Sequence, residues 1–197
     1  MTLVADVFFV NEIPFLIIPS RKIKIVTVEH IRTQTATQLS NSLAQVFRLY
    51  GCASYNVKVI PLDIKFEPVE TIMPETVTCN FSEAREHVGE IEHEIRFIKE
   101  RVRNNIAILP FKKSLNRVII ELVYFTVLWR NAISTWETGS LVIYSPYEII
   151  TGLKMDFKKH CKLDFGEYVE VHDEPNPTNG MKFRTAPCVA LGPTGSL

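Results

Sequence analysis

The 197-residue sequence lacks several features that mark common functional classes. Its 22 lysines and arginines balance 22 aspartates and glutamates, so the chain is not a uniformly basic nucleic-acid coat. The longest apolar stretch, residues 118–129, is interrupted by Glu121 and is shorter than the roughly 20 residues of a membrane span. The first fifteen residues also lack the basic segment and cleavage site of a signal peptide.

The four cysteines lie far apart and form no Cys-x-x-Cys pair. We therefore expect neither a zinc ribbon nor a dense disulfide scaffold, and the cysteine spacing favours a protein that works in a reducing environment. His160 with Cys161, and His172 with Cys188, are weak candidates for metal ligands because their spacings match no zinc motif. A glycine-rich phosphate loop and a Gly-x-Ser-x-Gly nucleophile motif are also absent from the sequence.

The apolar pattern predicts an α/β fold. Residues 2–10 are almost continuously apolar, which is typical of a strand buried on both faces at the centre of a sheet. Further strands are predicted at residues 14–19, 22–28 and 56–66. Helices are predicted at residues 35–50, 87–104 and 115–129, where apolar residues recur at helical spacing. Gly51 is expected to end the first helix.

The order of these elements predicts three regions. Residues 1–133 form the α/β core. Residues 134–160 form a linker with one short helix near Tyr147, and residues 161–197 form short strands separated by turns rich in proline and glycine.

Two aspartates interrupt the predicted strands. Asp6 lies within the first strand, where an ionised carboxylate is costly unless it is paired, protonated or bound to a cation. An equally good explanation is that Asp6 lies at a strand end, where its carboxylate accepts a hydrogen bond from a backbone N–H. Asp63 repeats the pattern near the end of the strand at 56–66. If the two strands are neighbours, both carboxylates offer oxygen ligands to a divalent metal.

The helix at residues 87–104 can supply a third acid. Glu92 lies on one flank of its apolar stripe, and three cations continue along that flank: Arg96, Lys99 and Arg103. One interpretation is a metal ligand followed by a phosphate-binding surface. The other is a solvated helix face with a routine Glu92–Arg96 pair. Glu90 and Glu94 are also available, so the spacing leaves the choice of glutamate open.

Four segments follow one another along the chain: DVFFVNEIPF, LDIKFEPVE, EHVGEIEHEIRFIKERVR and SPYEIITG. In this order they resemble the integrase region of a copia-type LTR-retrotransposon polyprotein. The strongest part of the likeness is the segment at residues 86–103, where a Gly-x-x-Glu element that ends at Glu92 opens the helix; the Ser-Pro-Tyr-Glu element with Gly152 is second. The resemblance implies an RNase H-like mixed five-stranded sheet flanked by helices, followed by a partial small β-barrel-like module.

In that family, two aspartates and a glutamate hold two Mg²⁺ or Mn²⁺ ions. The resemblance assigns these roles to Asp6, Asp63 and Glu92, and it assigns contacts with element DNA to Arg96 and Lys99. The implied reaction is two-metal phosphoryl transfer, which trims the element's DNA ends and joins each 3′-hydroxyl to target DNA. Double-stranded DNA is therefore the expected partner, with self-association as a secondary expectation and no membrane contact. The expected location is the nucleus, or a cytoplasmic particle before import.

Departures from the family pattern predict an impaired site. Ile64 and Lys65 follow the second aspartate, where the family usually has Gly or Asn and then an acid. A lysine at this position competes with a metal ion for the carboxylates. The spacing from Asp63 to Glu92 is shorter than in many relatives, and His93 replaces a common Arg or Lys. We expect a fragment or a degenerate copy. Two alternatives stay open: a residual or domesticated domain that binds DNA or a partner without chemistry, and an unrelated α/β interaction domain.

Overall fold

The computed structural model describes residues 1–62, 66–70, 77–81, 88–111, 115–133, 144–173, 181 and 183–193. Within these ranges the chain forms a mixed α/β fold. The strands are β1 (Asp6–Val10), β2 (Ile13–Pro19), β3 (Val26–His30), β4 (Val59–Leu62), β5 (Thr78–Phe81), β6 (Tyr168–His172) and β7 (Thr185–Val189). The helices are α1 (Ala36–Cys52), α2 (Glu67–Glu70), α3 (Val88–Ile108), α4 (Asn116–Ala132), α5 (Pro146–Thr151) and α6 (Phe157–His160).

The chain segment that leads into β1 links two sheets. β1, β2 and β3 form an antiparallel sheet in that order, and β4 pairs with β5 in parallel. Thr2 forms a parallel bridge with Val59, and Ala5 forms one with Leu62. The first segment of the chain therefore lies between β2 and β4, the central position that its continuous apolar run predicts.

Helices cover both faces of this central strand. Side chains alternate along a strand, so Leu3 and Ala5 face one side while Val4 and Phe8 face the other. The first side packs against α1, through Leu39, Leu43 and Val46. The second side packs against α3 and α4, through Ile91, Ile98, Val102, Ile119, Leu122 and Val123. Burial on both faces is why this strand shows no polar alternation.

The outer strand β3 is protected by α4. The Asn131 side chain accepts a hydrogen bond from the Val26 N–H at 2.9 Å and donates one to the Val26 carbonyl oxygen at 2.7 Å. The Tyr124 hydroxyl accepts a hydrogen bond from the His30 N–H at 3.0 Å. These side chains satisfy backbone groups that an edge strand otherwise leaves open to pairing with another chain.

The C-terminal part packs on α4. α5 begins with a capping box, in which Ser145 Oγ accepts from the Glu148 N–H at 3.2 Å and Glu148 accepts from the Ser145 N–H at 2.7 Å. β6 and β7 form an antiparallel pair, and Phe165, just before it, contacts Phe125 with ring centroids 5.2 Å apart. In the part of the chain that the structure describes, no helix is long and apolar enough to cross a membrane.

Several predicted boundaries were wrong. Gly51 lies inside α1 rather than after it; the chain leaves the helix at Ala53, and Ser54 takes the positive φ of 62°. α3 continues past residue 104 to Ile108, and the short helix α6 was not predicted. Of the strand predicted at 56–66, only Val59–Leu62 is a strand, and residues 63–65 lie outside the described residues.

We expect Asn131→Ala to lower the free energy of unfolding by about 2 kcal/mol, because it leaves the Val26 N–H and carbonyl without partners in a buried place. Urea denaturation followed by circular dichroism measures this loss. Asn104→Ala on the exposed side of α3 is the matched control and should change stability by less than about 0.5 kcal/mol. Equal stability of the two variants would show that Asn131 does not support the β3 edge.

Candidate metal and nucleic-acid site

Asp6 is the first residue of β1 and lies on the sheet face that α3 and α4 cover. Along the strand it alternates with Val4 and Phe8, which pack against those helices. Its side chain is partly buried, and Oδ1 accepts a hydrogen bond from the Val7 N–H at 2.7 Å. Asp6 therefore makes the backbone hydrogen bond expected of a carboxylate at a strand end. It also lies on the sheet face that a metal ligand from α3 would have to approach.

Asp63, the second predicted ligand, lies outside the described residues. The residue before it, Leu62, is the last residue of β4 and forms a parallel bridge with Ala5, which precedes Asp6. The described chain thus brings together the immediate neighbours of the two aspartates. The condition set in the sequence analysis, that the two strands are neighbours, is met by these bridges.

Two of the three glutamates at the start of α3 are bound by arginines. Arg21 Nε lies 3.0 Å from Glu90 Oε2. Arg130 binds Glu94 through two bonds, 2.7 Å from Nη2 to Oε1 and 3.2 Å from Nε to Oε2, and only 11% and 16% of these two side chains are exposed. Bidentate pairs of this kind fix both partners in orientation.

These pairs define two flanks of α3. Successive helix positions differ by about 100°, so Glu90 and Glu94 lie about 40° apart, whereas Glu92 lies across the apolar stripe. Arg21 follows β2, and the helix that carries Arg130 packs on β3. The paired flank is therefore held by a residue that follows β2 and by a residue of α4, and Glu92 lies on the opposite flank.

Glu92 is exposed and has no ion pair with any described residue. The predicted alternative, a Glu92–Arg96 pair, is absent from the ion pairs of the described chain. Because the arginines occupy Glu90 and Glu94, Glu92 stays the predicted ligand. Among described residues, no three His, Cys, Asp or Glu side chains lie close enough to hold a metal ion, and Asp63 does not belong to that set.

The Glu92 flank continues with three cations that have no acidic partner among the described residues: Arg96, Lys99 and Arg103. Arg96 and Arg103 are exposed, and Lys99 is half-buried. On the other flank, the Arg101 guanidinium instead lies 5.4 Å from the centroid of the Phe97 ring. We call Arg96, Lys99 and Arg103 the α3 basic flank; its free charges are suited to contact phosphate.

A polar groove at the β3 edge was missed from the sequence. Its volume is about 480 Å³, and all eight residues that line it are of polar types: Glu29, His30, Thr35, Thr37, Gln38, Asn41, Ser42 and Gln45. Burial raises the pKa of Glu29, whereas burial and the charges of Arg32 and Arg117 lower the pKa of His30. Both shifts favour neutral side chains. No sequence motif signals this groove, because β3 and α1 contribute to it without a common spacing.

No protein-family model and no curated protein matches the sequence. Among solved structures, the chain is similar to the catalytic core domain of BIV integrase, with a TM-score of 0.51 and 16% sequence identity. The match covers 77% of this chain and 93% of that chain. The chain shares the α/β fold of an integrase catalytic core. That likeness confirms the predicted fold class in general form, and the copia-type assignment, the five-stranded sheet and the β-barrel-like module stay predictions.

We expect Arg130→Met to lower the free energy of unfolding by about 3 kcal/mol, because Glu94 would keep a largely buried charge without its partner. The double variant Glu94→Met/Arg130→Met should recover most of that loss, since it also removes the buried Arg130 Nη1 group, which has no partner among the described residues. Urea denaturation of the two single variants and the double variant gives the coupling energy. Additive single-variant losses would contradict the proposed role of the pair.

Proposed function

We propose that the chain is an integrase-like domain that binds double-stranded DNA and holds Mg²⁺ or Mn²⁺ for phosphoryl transfer, as in the integrase region of a copia-type retrotransposon polyprotein. The observation that carries this proposal is the division of α3 into two flanks. One flank is bound by Arg21 and Arg130. The other flank presents Glu92 and three cations without acidic partners in the described chain.

The proposal includes a single five-stranded sheet in the order β3-β2-β1-β4-β5. The parallel bridges from Thr2 and Ala5 to β4 support this arrangement, as does the hydrogen bond from the Leu3 N–H to the Val59 carbonyl oxygen at 3.1 Å. In such a sheet, Asp6 belongs to the central strand, and the chain reaches Asp63 directly after the neighbouring strand. The two aspartates would then share one edge of the sheet beneath α3.

The proposed donor set, Asp6, Asp63 and Glu92, consists only of carboxylates. Carboxylate oxygens are the ligands that Mg²⁺ and Mn²⁺ prefer, and the exposed Glu92 is free to turn toward an ion. Bound ions would supply activation of a water or a 3′-hydroxyl and stabilisation of the leaving oxygen. The chain's own contribution is to hold Asp6 on a buried strand and to fix the rotation of α3.

The α3 basic flank supplies the proposed DNA contact. Arg96, Lys99 and Arg103 follow Glu92 along one side of the helix, so a DNA backbone bound there would lie beside the carboxylates. Contacts to phosphate position DNA without reading its sequence. The proposed setting is therefore DNA integration, with element ends and target DNA as substrates and with the nucleus, or a particle that is imported into it, as the location.

A second candidate is a DNA-binding domain of the same fold without chemistry. The residues after Asp63 in the sequence favour it, because Lys65 introduces a positive charge two positions after that proposed ligand and Ile64 stands where the family has a small residue. A cation beside a metal site lowers its affinity for the ion. Both candidates use the α3 basic flank, and they differ only in whether a divalent metal is bound and used.

We expect Mn²⁺-dependent strand transfer on short DNA duplex ends to fall at least about 100-fold in Asp6→Asn and in Glu92→Gln, since each substitution removes a metal ligand. Glu100→Gln, at an exposed position of α3 without an ion pair among the described residues, is the matched control and should retain strand-transfer activity. Calorimetric titration with Mn²⁺ provides a second readout, and both site variants should lose binding. Equal activity of the Glu92→Gln and Glu100→Gln variants would contradict the assigned site. An intact chain that binds DNA but neither Mn²⁺ nor Mg²⁺ would support the second candidate.

We expect the triple variant Arg96→Gln/Lys99→Gln/Arg103→Gln to bind duplex DNA more weakly at all sequences. The slope of log affinity against log salt concentration should become shallower by about 3, because each phosphate contact contributes roughly 0.9. The control removes three exposed cations from other elements, Lys22→Gln/Arg48→Gln/Lys58→Gln. Fluorescence anisotropy over a range of salt concentrations measures both slopes. Equal slopes for the two triple variants would show that DNA does not contact this flank.

A further inference from the structure

A second concentration of positive charge surrounds α6, away from the proposed site. Four lysines lie within nine residues: Lys154, Lys158, Lys159 and Lys162. All four are exposed, and none has an ion pair with a described residue. Because the whole chain has no net charge, this is a local excess rather than a general property of the surface.

The one acid within this stretch is directed to the backbone. Asp156 is the N-cap of α6, and its Oδ1 accepts a hydrogen bond from the Lys159 N–H at 3.2 Å. Its carboxylate therefore stabilises the helix start and forms no ion pair with the neighbouring lysine side chains. The lysine ammonium groups stay available to an external anion.

The segment that carries the lysines is docked on α4. Met155 is buried with Leu128, Ala132 and Tyr147. The Phe157 ring stacks on Trp129, with centroids 6.1 Å apart and an angle of 25° between the ring planes. A backbone held in this way loses little conformational freedom when the surface binds a ligand. Less of the favourable electrostatic energy is therefore offset by lost entropy.

This surface is separate from the α3 basic flank. α4 contacts α3 through Arg130 and Glu94, and it contacts the lysine-bearing segment through Leu128 and Trp129. The two groups of cations are therefore carried by different elements, α3 and the segment around α6, which both contact α4. A ligand that touches both must be extended and must carry negative charge along its length.

We propose that the surface formed by Lys154, Lys158, Lys159 and Lys162, the α6 basic surface, binds the phosphate backbone of duplex DNA as a second contact. Lysine is a point charge that binds phosphate without the geometric demands of base recognition, so the contact would be independent of sequence. Duplex DNA is an extended polyanion and can therefore contact both groups of cations. The inference rests on the DNA-binding part of the proposed function and extends its footprint beyond α3.

The test compares three triple variants of the full chain by fluorescence anisotropy with a labelled duplex of about 30 base pairs. The first removes Lys158, Lys159 and Lys162 as glutamines, the second removes the α3 basic flank, and the third is the scattered control at Lys22, Arg48 and Lys58. We expect the first variant to make the salt slope shallower by about 3 relative to the control. Combining the first and second variants should make it shallower by about 6.

The outcomes separate this inference from the proposed function. A shallower slope in the α6 variant alone would support DNA contact at the α6 basic surface. It would also show that DNA does not contact the α3 basic flank. A change in the α3 variant alone overturns the α6 proposal and leaves the proposed function in place. Exposed Leu153 and Leu163 border the lysines, so vesicles containing phosphatidylserine are tested in parallel. Lysine-dependent binding to these vesicles, without any effect on DNA affinity, would also overturn the proposal. Circular dichroism confirms that each variant is folded.

Discussion

The rotation of α3 about its own axis is the constraint on which the candidate site depends. Apolar contacts through Ile91, Ile98 and Val102 press the helix onto the sheet but leave some freedom to roll. Two arginines on one flank remove that freedom, because Arg21 binds Glu90 and Arg130 binds Glu94 in a largely buried, bidentate pair. The opposite flank, which carries Glu92, then keeps one orientation relative to the sheet. A glutamate and three cations without acidic partners among the described residues share that flank, and this division of charge is the basis on which we propose a site there rather than a solvated helix face.

The same segregation explains how a neutral chain can be suited to DNA. Acids on the paired flank of α3 are neutralised within the protein, as is Glu121 by Arg117. Cations on the α3 basic flank and around α6 have no acidic partners among the described residues. Net charge averages over both populations and therefore hides them. What an approaching polyanion meets is the local excess of charge.

Much of the fold is predictable from local pattern, because the interactions concerned are short in sequence. The apolar run before Val10 predicts a central strand, the stripe through Ile91 and Ile98 predicts a helix, and Ser-Pro-Tyr-Glu predicts the capping box of α5. The interactions that distinguish between the candidate glutamates join residues that are far apart in the sequence. Arg21 and Glu90 are 69 positions apart, and Asn131 and Val26 are 105 apart. No periodicity links such pairs, so the sequence left three glutamates open where tertiary ion pairs occupy two. Gly51 was also misplaced, since the chain takes its positive φ three residues later, at Ser54.

The central claim is that the carboxylates of Asp6, Asp63 and Glu92 converge on a divalent metal. The most direct measurement is a crystal structure of the chain grown with Mn²⁺, with anomalous diffraction used to locate the ion. The account predicts an anomalous peak about 2.1 Å from carboxylate oxygens of Asp6 and Glu92, with Asp63 completing the set. An ordered site in which these three side chains face one another without a Mn²⁺ peak, or in which Glu92 points away from Asp6, would contradict it.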